Sequence, residues 1–161
     1  MTRITRLAAL TLLLCLLPLS MPAAAREPAD IRDIRDFNLE QYRGKVLYLD
    51  FWASWCKPCQ KSFPWMNRLQ GKFPADRFEV VTINLDSDRK PMLRFLERIP
   101  ADFTIYHDAS GHTAEKFKLP GMPTSYLIDQ NGKPVSRHIG FFTDKTARIE
   151  EEIRNLIEKQ P

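Results

Sequence analysis

Cys56 and Cys59 are the residues best equipped for chemistry in this 161-residue chain, and they are spaced three apart in Trp55-Cys56-Lys57-Pro58-Cys59. Two thiols at that spacing can close and reopen a disulfide, which is the chemistry of thiol–disulfide exchange. Which sulfur attacks depends on what flanks them. Upstream runs Val46-Leu47-Tyr48-Leu49, an apolar stretch that reads as a buried strand. Downstream, from Cys59 to about Phe73, Met66, Leu69 and Phe73 recur at helical spacing. A strand that ends in C-x-x-C at a helix start puts Cys56 at the positive end of the helix dipole, among free backbone N–H groups. That environment and the adjacent Lys57 lower the thiol's pKa from about 8.5 and favour the nucleophilic thiolate. Cys59, one turn further on, is expected to be the more buried, resolving thiol. A static disulfide and a metal site are the alternatives. The second is poorly served, because two cysteines alone do not fill a tetrahedral site.

Asp50 is the other residue placed for proton chemistry. It sits within the apolar strand, between Leu49 and Phe51. A carboxylate buried there loses solvation, so its pKa should rise. The alternative is an acid satisfied by backbone donors. His107, His112 and His138 show no ligand spacing to one another and read as surface or loop residues.

The elements that must hold these groups follow from pattern. Val46 to Trp52 is the first central strand, and Phe78 to Leu85 the next. Asp88 caps a helix in which Met92, Phe95, Leu96 and Ile99 recur and Pro91 lies in the first turn. Phe103 to Tyr106 is a short strand, and Ala114 to Phe117 a brief helix. Thr124 to Asp129 and Pro134 to Ile139 form a hairpin, with Asn131-Gly132 as a two-residue turn. A final helix over about 144–159 buries Ile149, Ile153, Leu156 and Ile157. Residues 26–45 are charged and irregular, with Phe37, Leu39 and Tyr42 as anchors onto the sheet edge.

Phe51-Trp52-Ala53-Ser54-Trp55-Cys56-Lys57-Pro58-Cys59, with Gly44-Lys45 before it, resembles the active-site approach of the thioredoxin superfamily, in particular its TlpA-like or ResA-like extracytoplasmic members. Pro64, Gly121-Met122-Pro123-Thr124, Leu127 to Lys133 and Gly140 match further landmarks in order, over roughly residues 37–158. The resemblance implies an α/β thioredoxin-like fold: a central mixed β-sheet flanked by helices, with an inserted helix and strand (about 88–106) between the active site and the cis-proline loop. It also implies site roles. Cys56 attacks, Cys59 resolves, and Asp50 is the buried acid behind Cys59. Pro123 is a cis proline, Lys57 and Pro58 tune the redox potential, and Trp55 and Met122 line a substrate groove. Thioredoxins often carry a lysine on the strand beside this acid, where this chain has Thr82. The implied partners are proteins bearing a disulfide or dithiol, together with a membrane electron donor or acceptor. No cofactor and no metal are implied.

Function classes that fit are a reductase of particular protein disulfides, a disulfide oxidase or isomerase, or a non-enzymatic copper chaperone using Cys56, Cys59 and His138. A peroxidase fits least, since Cys56 lacks the upstream proline and threonine that activate peroxide. The cytochrome c maturation and copper-site assembly tasks come from the family resemblance alone.

Residues 1–25 are a different kind of sequence. Arg3 and Arg6 precede the apolar run from Leu7 to Leu19, and Ala23-Ala24-Ala25 offers a small-residue cleavage site. The run is short for a membrane span and reads as a signal peptide, with an uncleaved anchor as the alternative. Either places the domain, 26–161, in the periplasm or otherwise outside the cytoplasm. Cleavage removes Cys15 and leaves only Cys56 and Cys59, which argues against a structural disulfide framework. Net charge falls from +4 to +2, because the leader holds no acid. So small a balance points to no nucleic-acid partner. With no repeat or linker in view, a single monomeric domain is expected.

Overall fold

The computed structural model describes residues 29–159. The leader expected over 1–25, with Cys15 and the alanine cleavage site, lies outside the described residues. One six-stranded mixed sheet organises the rest. In chain order its strands are β1 (Ile31–Asp33), β2 (Val46–Trp52), β3 (Phe78–Asn84), β4 (Thr104–His107), β5 (Thr124–Ile128) and β6 (Pro134–Ile139). They lie side by side as β1-β4-β3-β2-β5-β6. The first four run parallel, and β5 and β6 are antiparallel additions. The helices are α1 (Lys57–Gln70), α2 (Arg89–Arg98), α3 (His112–Lys116) and α4 (Thr146–Glu158).

β2 is buried along its whole length because both faces of the sheet are covered, as parallel strands require. Its even-numbered residues Val46, Tyr48 and Trp52 pack with Cys59, Phe63 and Met66 of α1 and with Ile149 and Ile153 of α4. Its odd-numbered residues Leu47, Leu49 and Phe51 pack on the other face with Val81, Ile83, Tyr106 and Tyr126. Trp52, Phe63 and Phe95 form a mutual ring cluster, with centroids 4.6–4.8 Å apart, that locks α1 and α2 onto the sheet. The expected insertion is present as α2 and β4. Asp88 caps α2 by accepting the Lys90 backbone N–H, and β4 enters the sheet between β1 and β3.

Three expectations need correction. Residues 26–45 are not irregular throughout, since Ile31–Asp33 pairs with β4. Three residues, two of them adjacent charges, carry no strand signal of their own; the open edge of β4 supplies it. Phe37, Leu39 and Tyr42 lie over the second face of the sheet rather than at its edge. There the Tyr42 and Tyr106 hydroxyls meet at 3.0 Å and Gln41 Nε2 donates to Tyr106. The hairpin turn is also longer than Asn131-Gly132. Asp129 N–H donates to Lys133 O, so a three-residue loop of Gln130, Asn131 and Gly132 joins the strands. Gly132 takes the left-handed conformation at φ 78° that this loop requires, and Asp129 Oδ1 accepts the N–H groups of Asn131 and Lys133.

Candidate active site

The redox loop begins where β2 ends. Cys56 N–H donates to Ala53 O across a tight turn, and this turn turns Trp55 outward, where it is 69 % exposed. Cys56 caps α1, with its Sγ facing the Cys59 backbone N–H at 3.3 Å. Pro58 falls in the first turn, where its missing N–H costs nothing. Cys56 and Cys59 are joined in a disulfide. Cys56 is 5 % exposed and Cys59 fully buried, so only the first sulfur is open to an incoming nucleophile. Lys57 and Pro58 are exposed beside them. Ser62 Oγ donates to Cys59 O, and Pro64 is accommodated inside α1, which continues to Gln70.

Opposite this loop, the Met122–Pro123 bond is cis, and Pro123 is buried. The ladder fixes its position. Phe51 pairs with Thr124, so Pro123 falls beside the end of β2, where the redox loop starts. Met122 is half-buried against the apolar cluster that contains both cysteines. Gly140 N–H donates to Pro123 O at 2.8 Å, and Thr124 Oγ1 donates to Gly121 O at 2.7 Å, which together hold the loop.

Asp50 is 2 % exposed, and strand alternation sends it to the face covered by α1. Its Oδ2 has no hydrogen-bond partner, and burial drives its pKa well above the usual carboxylate range. Backbone donors therefore do not satisfy it fully. Its register partner on β3 is Thr82, whose Oγ1 accepts from Trp52 Nε1 at 3.1 Å. No lysine stands opposite this acid.

Sequence reasoning missed Asp86. This buried carboxylate accepts the Ser54 backbone N–H, the Ser54 hydroxyl at 3.0 Å and Asn84 Nδ2 at 3.0 Å. His107 Nε2 lies 2.8 Å from the Asp86 carbonyl, so His107 belongs to this support rather than to a free surface. The available signal was topological: Trp52 pairs with Asn84, so the residues after β3 must face the loop after β2. His138 also departs from expectation. It is half-buried, with Nε2 3.2 Å from Glu152 Oε2 of α4. Among the described residues, no three His, Cys, Asp or Glu side chains converge as a metal site, and none joins His138 to the cysteines.

The AhpC/TSA family model matches residues 21–135. The chain is 34 % identical over 99 residues to the thiol-disulfide oxidoreductase ResA of Geobacillus thermodenitrificans, a match covering 62 % of this chain and 57 % of that relative. The chain thus spans a little over half of that relative's length. A crystal structure assigned as thiol:disulfide interchange protein DsbE from Chlorobium tepidum is 45 % identical with a TM-score of 0.72, covering 74 % of this chain and 84 % of that one. The exposed lipoprotein thioredoxin Etrx1 of Streptococcus pneumoniae superposes with a TM-score of 0.61 at 28 % identity, covering 72 % and 90 % of the two chains. By this match over most of its length, and by its redox loop and sheet order, the chain belongs to the AhpC/TSA family, among its thioredoxin-like, ResA-like members.

Proposed function

We propose that this chain is an extracytoplasmic thiol–disulfide oxidoreductase that reduces disulfides of particular proteins. The observation that carries the reading is the unequal pair at the start of α1, with Cys56 keeping a small exposed surface and Cys59 fully enclosed. Reduced Cys56 is held as a thiolate by the helix dipole and the Cys59 N–H. It attacks one sulfur of the substrate disulfide, forming a mixed disulfide and expelling the other substrate sulfur as a thiolate. Cys59 then gives its proton to Asp50, and its sulfur attacks Cys56 Sγ. The mixed disulfide breaks, the second substrate thiolate leaves, and the pair ends oxidised by two electrons. A membrane reductant is proposed to return them.

Asp50 suits the role of proton acceptor because burial raises its pKa toward that of the thiol it serves. Pro123 lacks an N–H, so the backbone of Met122 beside it is free to pair with a substrate strand. Trp55, exposed at the tip of the loop, and Met122 would line the groove. Cytochrome c maturation and copper-site assembly are the tasks proposed for such a reductase, with the protein acting as a monomer outside the cytoplasm.

One observation favours a second reading, an oxidase or isomerase. The Cys59 N–H aimed at Cys56 Sγ stabilises the thiolate and hence the reduced form, which makes the pair more oxidising. The copper-chaperone reading gains no support, because His138 lines the cavity between β6 and α4, whose walls include neither cysteine. Replacing Cys56→Ser should abolish turnover of a model protein disulfide such as insulin. Retained turnover in that variant would remove the mechanism.

A further inference from the structure

Asp50 is 2 % exposed, and the cluster on its face of the sheet that leads to the redox loop, with Trp52, Ala53 and Cys59, is fully buried. A buried acid that takes a proton in each cycle must also lose it, and the sheet offers a way out. Asp50 pairs across the ladder with Ser125, and Ser125 with His138. Directly opposed residues share one face, so these three side chains form a polar row across β2, β5 and β6 on the side of α4. Thr82 extends the row on the far side of Asp50, but its own partner on β4 is the buried, apolar Ile105, so the polar row ends there. The row therefore leads toward β6. Tyr48, two residues before Asp50 on the same face, is buried. Its phenol is held in the neutral form by burial and by the Asp50 charge, and Ser125 faces its hydroxyl.

The row ends at a cavity of about 350 Å³ between β6 and α4, lined by Tyr48, His138, Lys145, Arg148, Glu152 and Ile149 among others. His138 and Glu152 are close but poorly aligned, so Nε2 and Oε2 each lack a directed hydrogen bond. Burial lowers the His138 pKa, against the pull of Glu152, and the Arg148 and Lys145 charges add to the lowering. An imidazole that lines the cavity, its charged form disfavoured by burial, can take a proton from the row and pass it on readily to water in the cavity.

We propose that Asp50 exchanges its proton with solvent through Ser125 and Tyr48 to His138, at the α4 cavity rather than at the redox face. The inference rests on the reading of Asp50 as the acceptor of the Cys59 proton. The proton moves from the Asp50 carboxyl to a hydroxyl of the row, which passes on its own proton to the His138 ring. The imidazolium then loses it to water, and the carboxylate is ready for the next cycle. When the pair is re-reduced the same path runs inward. His138 touches neither sulfur and acts through Asp50, as a positioning and relay residue.

The test is reduction of a model disulfide followed across pH, both as a stopped-flow single turnover of the pre-reduced protein and as steady-state turnover with excess dithiol reductant, with Asp50→Asn, His138→Gln, His138→Ala, Ser125→Ala and Tyr48→Phe. Asp50→Asn should slow the single-turnover resolving step by roughly a hundredfold or more, the scale of general acid–base contributions, and His138→Gln should slow steady-state turnover by roughly tenfold. His138→Ala should recover when free imidazole is added, since the cavity is open to it, and its pH profile should move. Ser125→Ala and Tyr48→Phe should each slow the step without unfolding the protein. A slow Asp50→Asn beside a wild-type rate and pH profile in His138→Gln would overturn the path while leaving Asp50 as base. A wild-type rate in Asp50→Asn would remove that reading first, and the path with it. Slowing in His138→Ala that imidazole cannot relieve, with an unmoved pH profile, marks a structural effect and overturns the path as well.

Discussion

The Asp86 carboxylate takes both the backbone N–H and the hydroxyl of Ser54, and this clamp fixes the loop two residues before the reactive sulfur. Three donors on two elements converge on one buried acid, Asn84 Nδ2 being the third. The geometry of Cys56 is thereby tied to the end of β3 rather than left to a mobile turn.

Removing that acceptor leaves the buried donors without partners, which costs about 1–3 kcal/mol. Asp86→Ala should therefore lower the unfolding free energy by about that amount in urea titration and reduce disulfide turnover. Asp88→Ala, which removes the exposed cap of α2, is the matched control. It should cost about 1 kcal/mol and leave turnover unchanged.

The raised pKa of Asp50 makes stability depend on pH with a definite sign. The folded state holds this proton to higher pH than the unfolded chain does. Its contribution is complete below the ordinary carboxylate pKa and is lost as pH rises through the folded value. Asp50→Asn should remove that component. The difference in unfolding free energy between variant and wild type should then grow in the variant's favour from mildly acidic to alkaline pH. A constant difference across that range would show that Asp50 ionises freely in the folded protein.

Gly140 adopts φ 75°, and a Cβ added there would meet the Phe142 ring at 3.0 Å. The left-handed conformation costs a side-chain-bearing residue about 1–2 kcal/mol. Gly140→Ala should be destabilised by at least that amount and should loosen the bond from Gly140 N–H to Pro123 O. Faster hydrogen exchange at the Gly140 amide would report the loosening.

The parts of this fold that sequence revealed are those in which one segment carries its own pattern. The apolar run of β2, the β-branched residues of β3 and the stripe of α4 each announce their element and their buried face. Cys56 and Cys59 were legible because spacing and helix start act locally. β1 was not, because Ile31–Asp33 becomes a strand only through the edge of β4. Asp86 and His138 escaped for a related reason. The partners that define them, Ser54 and Glu152, lie 32 and 14 residues away, and only strand register and helix docking bring them together. Asn131-Gly132 marked the right turn but not its length, which Asp129 sets by capturing two backbone N–H groups.

Cys56 and Cys59 are proposed to form a reversible couple that delivers electrons to protein disulfides. Its most direct test is the equilibrium reduction potential of the pair, read in graded thiol/disulfide buffers with mass detection of both states. A value below about −220 mV, in the range of reductases, is expected. A value above about −150 mV would make the pair a disulfide donor and contradict the proposed direction of electron flow.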